Sequence, residues 1–197
     1  AGEAASCPRR HSAKCSKSWY SMQEEVCSWQ LSLPRAVQRE VISCALGIPP
    51  RQKDPSNLNI LVVNRKDAHS RFIQNHREMM TALRKANPSA TFREFVAADM
   101  SLEDQIRAFA WADFVIAPHG AALGQVSYMN PGGAVLEIGY PKTTMPLIFM
   151  GTASSVGQRY FLSIAKSGSH GTGLVANIQD VVSVARKAVQ HLQAPGE

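Results

Sequence analysis

The apolar residues of this chain change their rhythm at Leu58. Upstream, Trp19 to Leu46 reads as helical, with Pro34 suited to a first turn and Gly47-Ile48-Pro49-Pro50 as a stop. Residues Ala1 to about Ser18 are small, polar and basic, a composition that predicts poor order, and Arg51 to Asn57 reads as a polar linker. Downstream, short apolar runs alternate with amphipathic stretches. Leu58–Val63, Thr91–Val96, Phe114–Ala117, Ala134–Ile138 and Arg159–Ala165 read as five strands. Between them lie predicted helices: one with Ile73, Met79, Met80 and Leu83 on one side, stopped by Asn87-Pro88, and one opened by Ser101-Leu102-Glu103-Asp104, which has capping-box form. The second should bury Leu102, Ile106, Phe109 and Ala110. Helices are also expected over Ala121–Met129, from Met145 to about Ser154, and from an Asn177 cap through Val181, Val184, Ala185, Val189 and Leu192. Strand–helix alternation with apolar strands implies a Rossmann-like α/β fold, a mostly parallel sheet covered on both faces. The expected organisation is a basic, cysteine-containing segment over 1–57 and one α/β domain over 58–197.

The candidate chemistry gathers where strands end. Phe114–Ala117 runs into Pro118-His119-Gly120-Ala121-Ala122-Leu123, where a strand stops, turns and opens a helix. Open backbone N–H groups, the positive end of the helix and a His make such a turn an anion seat, best suited to phosphate. Arg65 follows the first strand, with Lys66 and Arg71 in the same loop, on the edge where open α/β sheets meet ligands. A guanidinium there can fork onto phosphate oxygens, or can be a solvated loop charge. Arg71, Asn75 and Glu78 are spaced to share a helical face, which fits either a positioning cluster or a surface ion-pair group. Gln105 lies on the next helix. Glu137, read as the end of the fourth strand, is placed to accept hydrogen bonds from ribose hydroxyls or simply to be solvated. The other five histidines lack metal-ligand spacing and no Asp-x-Asp pair is present, so a diphosphate here would be neutralised by Arg, His and backbone dipoles rather than a divalent metal.

Bulk properties narrow the rest. The chain has 197 residues, 45% of them hydrophobic, enough for one good core. A net charge of +6 suggests an acidic partner, but the basic residues are dispersed and not interleaved with aromatics, which argues against nucleic acid. No apolar run reaches the roughly 18 residues of a membrane span, and no signal core follows the Ala-Gly-Glu start. Cys7, Cys15, Cys27 and Cys44 lack zinc spacing; two disulfides or free thiols both fit. Ala153-Ser154-Ser155-Val156-Gly157 imitates a hydrolase nucleophile elbow, but the segment after it reads as a strand where an elbow needs a helix.

Taken in order, Asn64-Arg65, Arg71-x-Ile73-x-Asn75-x-x-Glu78, Ser101–Ile106, Ala112-Asp113, His119–Leu123, Met129–Gly132 and Val135–Ile138 resemble glycosyltransferase family 61. The likeness runs from about Pro34 to Ala165. It implies the carboxyl-terminal, donor-binding half of a two-domain GT-B enzyme that inverts the anomeric centre without a metal. By position, Arg65, Arg71, His119, Gly120 and Ala121 would contact the diphosphate of a nucleotide sugar, UDP-linked in this family, and Glu137 the nucleoside, with Asn75 and Gln105 in support. The acceptor would be a hydroxyl of a glycoprotein or polysaccharide, no further cofactor is implied, and the setting would be the Golgi or endoplasmic reticulum lumen. Where the family reads Gly-Ala-Gly-Leu-Thr-Asn after the His, this chain has Gly120-Ala121-Ala122-Leu123-Gly124-Gln125. A GT-B enzyme needs about 300 residues by domain-size arguments; about 50 precede the first strand here, so the acceptor half is expected to be largely missing, together with the catalytic base and any membrane anchor. A non-catalytic nucleotide-binding module is the other reading.

Overall fold

The computed structural model describes residues 35–49, 51–66, 68–141 and 145–194. Two compact units result, Ala1–Pro49 and Pro50–Glu197. In the first, helix α1 spans Arg35–Ala45. It ends at Gly47, whose φ of 62° places it in the left-handed region that closes helices. The Gly47 amide donates to Cys44 C=O and the Ile48 amide to Ser43 C=O, the paired bonds of a Schellman stop. Cys44 is disulfide-bonded. Cys7, Cys15, Cys27 and the expectations for Ala1 to Pro34 lie outside the described residues.

The second unit is a five-stranded sheet, all neighbours parallel, in the order β2-β1-β3-β4-β5. Its elements are β1 (Asn59–Val63), α2 (His76–Ala86), β2 (Thr91–Phe95), α3 (Leu102–Trp111), β3 (Phe114–Pro118), β4 (Ala134–Gly139), α4 (Ile148–Ser155), β5 (Arg159–Ile164) and α5 (Ile178–Gln193), with short 3₁₀ helices at Ala97–Asp99 and Ala121–Tyr128. Strand residues alternate between two cores. Ile60, Val62, Phe114, Ile116, Leu136 and Ile138 meet Met79 and Leu83 of α2 and Val181 and Ala185 of α5. Leu61, Val63, Val115, Ala117 and Val135 face Phe109 of α3, Leu123 and Val126 of the 3₁₀ helix and Phe149 of α4. The continuous apolar runs are thus explained: central strands are covered on both sides.

Local expectations are corrected in four places. The chain after His119 winds as a 3₁₀ helix rather than an α-helix. Leu102 is 68% exposed and takes no part in the α3 core, because as the first helical residue it precedes the buried stripe of Ile106, Phe109 and Ala110. α2 starts at His76, so Ile73 sits in a β-bridge with Leu174 and Arg71 precedes the helix. Asn177 precedes α5 without a side-chain cap bond, whereas Ser101 does cap α3, its Oγ accepting the Asp104 amide at 3.1 Å.

The amino-terminal edge of the sheet is held by a buried carboxylate. Asp113 accepts the Asn59 amide at 2.8 Å through Oδ2 and pairs with Arg51 through Oδ1. The Asp of the Ala112-Asp113 block therefore sits on the rim away from the strand ends that carry Arg65 and His119.

Candidate functional site

A parallel sheet sends every strand end to one rim. In the order found here, the crossovers from β1 and β3 leave in opposite directions, and their loops part to form a crevice. A cleft of about 240 Å³ lies there, lined by Asn64 and Arg65 after β1, Ala97 after β2, Gln105 on α3, and Ala121, Ala122 and Gln125 after β3.

Arg65 and the His119 turn meet directly. A Cβ placed on Gly120 would stand 2.5 Å from Arg65 Nη1, so the absence of a side chain is what lets the guanidinium lie against this backbone. Arg65 Nε also donates to Ser70 C=O at 3.4 Å. The first bond of the following helix runs from Leu123 N–H to Gly120 C=O. The amides of Gly120, Ala121 and Ala122 come before it and find no backbone carbonyl among the described residues. A delocalised cation thus lies beside a turn whose leading amides have no backbone acceptor among the described residues, two features that suit an oxyanion.

Arg71 stands further along the same loop, between β1 and α2. Its φ of 58° is unusual for a residue with a side chain, and its own amide donates to Thr172 C=O at 2.7 Å. Phe72 C=O accepts from Leu174 N–H, Gln74 N–H donates to Leu174 C=O, and the Asn75 side chain both donates to and accepts from the Ala176 backbone. Asn75 is thus the clasp between the loops after β1 and β5, and the shared helical face expected for Arg71, Asn75 and Glu78 does not form. Arg71 Nη1 donates to His170 Nε2 at 2.9 Å, while its Nε is buried without a partner. His170, Tyr140 and His119 follow one another edge to face, with centroids 5.8 and 5.5 Å apart.

Glu137 is neither at a strand end nor solvated. It lies within β4, fully buried, opposite Ala117 of β3. His119 Nδ1 pairs with its Oε1, and Tyr160 Oη donates to its Oε2 at 2.6 Å. The side chain is sealed from solvent, which leaves no edge open to ribose hydroxyls. Burial, with the bond to Glu137 behind it, holds the Tyr160 phenol well above its ordinary range, so it remains a donor. His119 itself is buried beneath Phe149.

Gln105 supports the crevice from α3. Its Nε2 donates to Ala97 and Met100 carbonyls, each at 3.2 Å, and its Oε1 accepts from Gln125 Nε2 at 2.6 Å. The longer arm at Gln125 spans to α3. Tyr160, Tyr140 and His170 were not singled out from sequence. Tyr160 lies on the edge strand two strands from β3, and His170 sits in a glycine-rich loop with no motif of its own. The elbow imitation ends here too: Ser155 is the last residue of α4, and its hydroxyl donates to Thr152 C=O.

Among known proteins, a family model described as Glycosyltransferase 61 matches residues 8–136. No curated protein matches the chain in sequence. Solved structures with similar backbones include the rubredoxin oxygen:oxidoreductase of the anaerobe Desulfovibrio gigas, at 13% identity and a TM-score of 0.48 over 85% of this chain. The chain spans 40% of that protein. A WrbA-like flavodoxin protein of Agrobacterium tumefaciens matches at 17% identity and a TM-score of 0.42, over 69% of this chain and 99% of its own. An azoreductase of Bacillus anthracis str. Sterne gives 11% identity and the same TM-score and coverage.

Proposed function

The chain belongs to glycosyltransferase family 61, and we propose on that premise that its crevice binds the diphosphate of a nucleotide-sugar donor. One observation carries this reading: the Arg65 guanidinium lies where a Gly120 side chain would stand, at the turn after β3 and the switch point of the sheet. The donor is UDP-linked, and the unit is the donor half of a GT-B enzyme.

In the reaction, an acceptor hydroxyl of a glycoprotein or polysaccharide attacks the anomeric carbon and inverts it. The bond to the diphosphate breaks, and the negative charge gathering on the departing oxygen is what the site must stabilise. Arg65 forks onto the phosphates, the amides of Gly120 to Ala122 add fixed dipoles, and Arg71 supplies a second cation from the clasped loop. This needs no divalent metal. The base that deprotonates the acceptor is not assigned to any residue of this chain. A disulfide at Cys44 supports a Golgi or endoplasmic reticulum setting, where such bonds persist.

Titration of the folded chain with UDP and UDP-sugars by calorimetry tests the proposal. Saturable binding is expected; none at millimolar UDP overturns it. If UDP binds but no sugar reaches any hydroxyl acceptor, the chain is a nucleotide-binding module, the one other reading these residues support.

A further inference from the structure

A side chain lining the cleft carries an acceptor that no described residue satisfies. Gln105 and Gln125 both stand in that lining. Gln105 Nε2 donates to the carbonyls of Ala97 and Met100, each at 3.2 Å, and Gln105 Oε1 accepts from Gln125 Nε2 at 2.6 Å. The partners fix which way both amides face. A backbone carbonyl only accepts, so Gln105 turns its nitrogen to Ala97 and Met100 and its oxygen to Gln125. That oxygen also only accepts, so Gln125 meets it with nitrogen. Gln125 Oε1 is left over: it is sealed from water and has no hydrogen-bond partner, although the residue as a whole is half-buried. An acceptor that bonds neither to protein nor to solvent is costly to keep, and in the wall of a ligand cleft a ligand can satisfy it.

Resting on the donor-site reading, we infer that Gln125 is a specificity residue whose Oε1 accepts a hydrogen bond from a sugar hydroxyl of the bound nucleotide sugar. Gln105 is then the positioning residue that makes the free end an oxygen rather than a nitrogen. The diphosphate cannot be the partner, because its ionised oxygens only accept and an amide oxygen repels them. A nucleotide sugar carries the ribose on one side of that diphosphate and the transferred sugar on the other, and their hydroxyls are the donors nearest to it. Gln125 belongs to the 3₁₀ helix that opens at the Gly120 turn, so the hydroxyl contact and the phosphate contacts fall on one ligand. Ala121 and Gly124 of this helix are exposed, and admitting the hydroxyl asks only this outer wall to give. Discrimination follows from the cost of an unmet acceptor: a ligand without the hydroxyl leaves Oε1 unsatisfied, and one that has it does not. Without Gln105, the Gln125 amide is free to turn its N–H toward the phosphates and becomes one more anion contact.

The test is calorimetry of the full chain with inorganic pyrophosphate, UDP, the 2′- and 3′-deoxy forms of UDP, and UDP-glucose, each variant being checked by melting. Gln125→Met keeps the length of the side chain and removes its amide. In it, pyrophosphate is expected to bind as in wild type, while a sugar-bearing probe loses about tenfold in affinity. A loss already seen with UDP assigns the hydroxyl to the ribose, and the matching deoxy form then binds wild type and variant alike. A loss confined to UDP-glucose assigns it to the transferred sugar. Gln105→Met tests the positioning role: the same sugar-bearing probe weakens while pyrophosphate binding holds or tightens, which a merely loosened wall would not produce. Equal losses for pyrophosphate and every sugar-bearing probe, or no loss at all, overturn this inference and leave the donor site standing. No UDP binding by folded wild type overturns both.

Discussion

Arg65 can be truncated without opening a core, since it is only half-buried and rests on a loop. Arg65→Ala is expected to weaken UDP binding by about 1–3 kcal/mol with little change in thermal stability, read by calorimetry and melting of the same sample. Gly120→Ala approaches the same pair from the other side. The new methyl would meet Arg65 Nη1 at 2.5 Å, and the tip of a flexible side chain yields more cheaply than backbone. UDP affinity should drop by a similar amount. Affinity unchanged from wild type in both variants would remove Arg65 from the site. Residue types and their neighbours in sequence were enough to single out Arg65, His119 and Gly120, because a strand end followed by Gly has few uses. They were not enough for Glu137. Its carboxylate is explained by Tyr160, which comes from another strand and is visible only once β4 and β5 are paired.

Periodicity located each strand to within a residue or two, and most plainly the apolar runs of β1, β3 and β4, which are buried between two cores. Helix starts were harder. Arg71 to Asn75 carries helix-compatible spacing, yet those residues bond to Thr172, Leu174 and Ala176, about a hundred positions away. α2 begins only at His76, which is mostly buried, with Nε2 3.4 Å from Glu94 Oε1. Burial, partly offset by Glu94, lowers the His76 pKa below its usual 6.5. The unfolded chain takes up this proton more readily, so the contribution to stability is complete above pH 6.5 and is lost as pH falls through the lower folded value. Denaturation midpoints should decline from pH 7.5 toward pH 5, less steeply in His76→Gln. A parallel decline in both would assign it to other groups.

On the scale of the whole molecule, Arg51 reaches Asp113 within the unit that starts at Pro50. A chain cut to 50–197 should therefore keep the sheet and bind UDP like the full chain, by circular dichroism and calorimetry. Loss of the sheet would show that the first unit is needed for folding. Should transfer activity be found, it is expected to persist in EDTA, because the cradle meets the diphosphate with guanidinium groups and amides; abolition restored by manganese would reverse that assignment.

The clasp between residues 71–75 and 172–176 also orders events in time. A polypeptide leaving the ribosome presents Arg65 and the His119 turn long before the loop that holds Arg71 in place, and contacts so distant in sequence close late. Nascent chains halted before Thr172 would hence carry a formed Gly120 turn with Arg71 still untethered. Nucleotide capture on a stalled ribosome should become tight only when synthesis has passed Ala176.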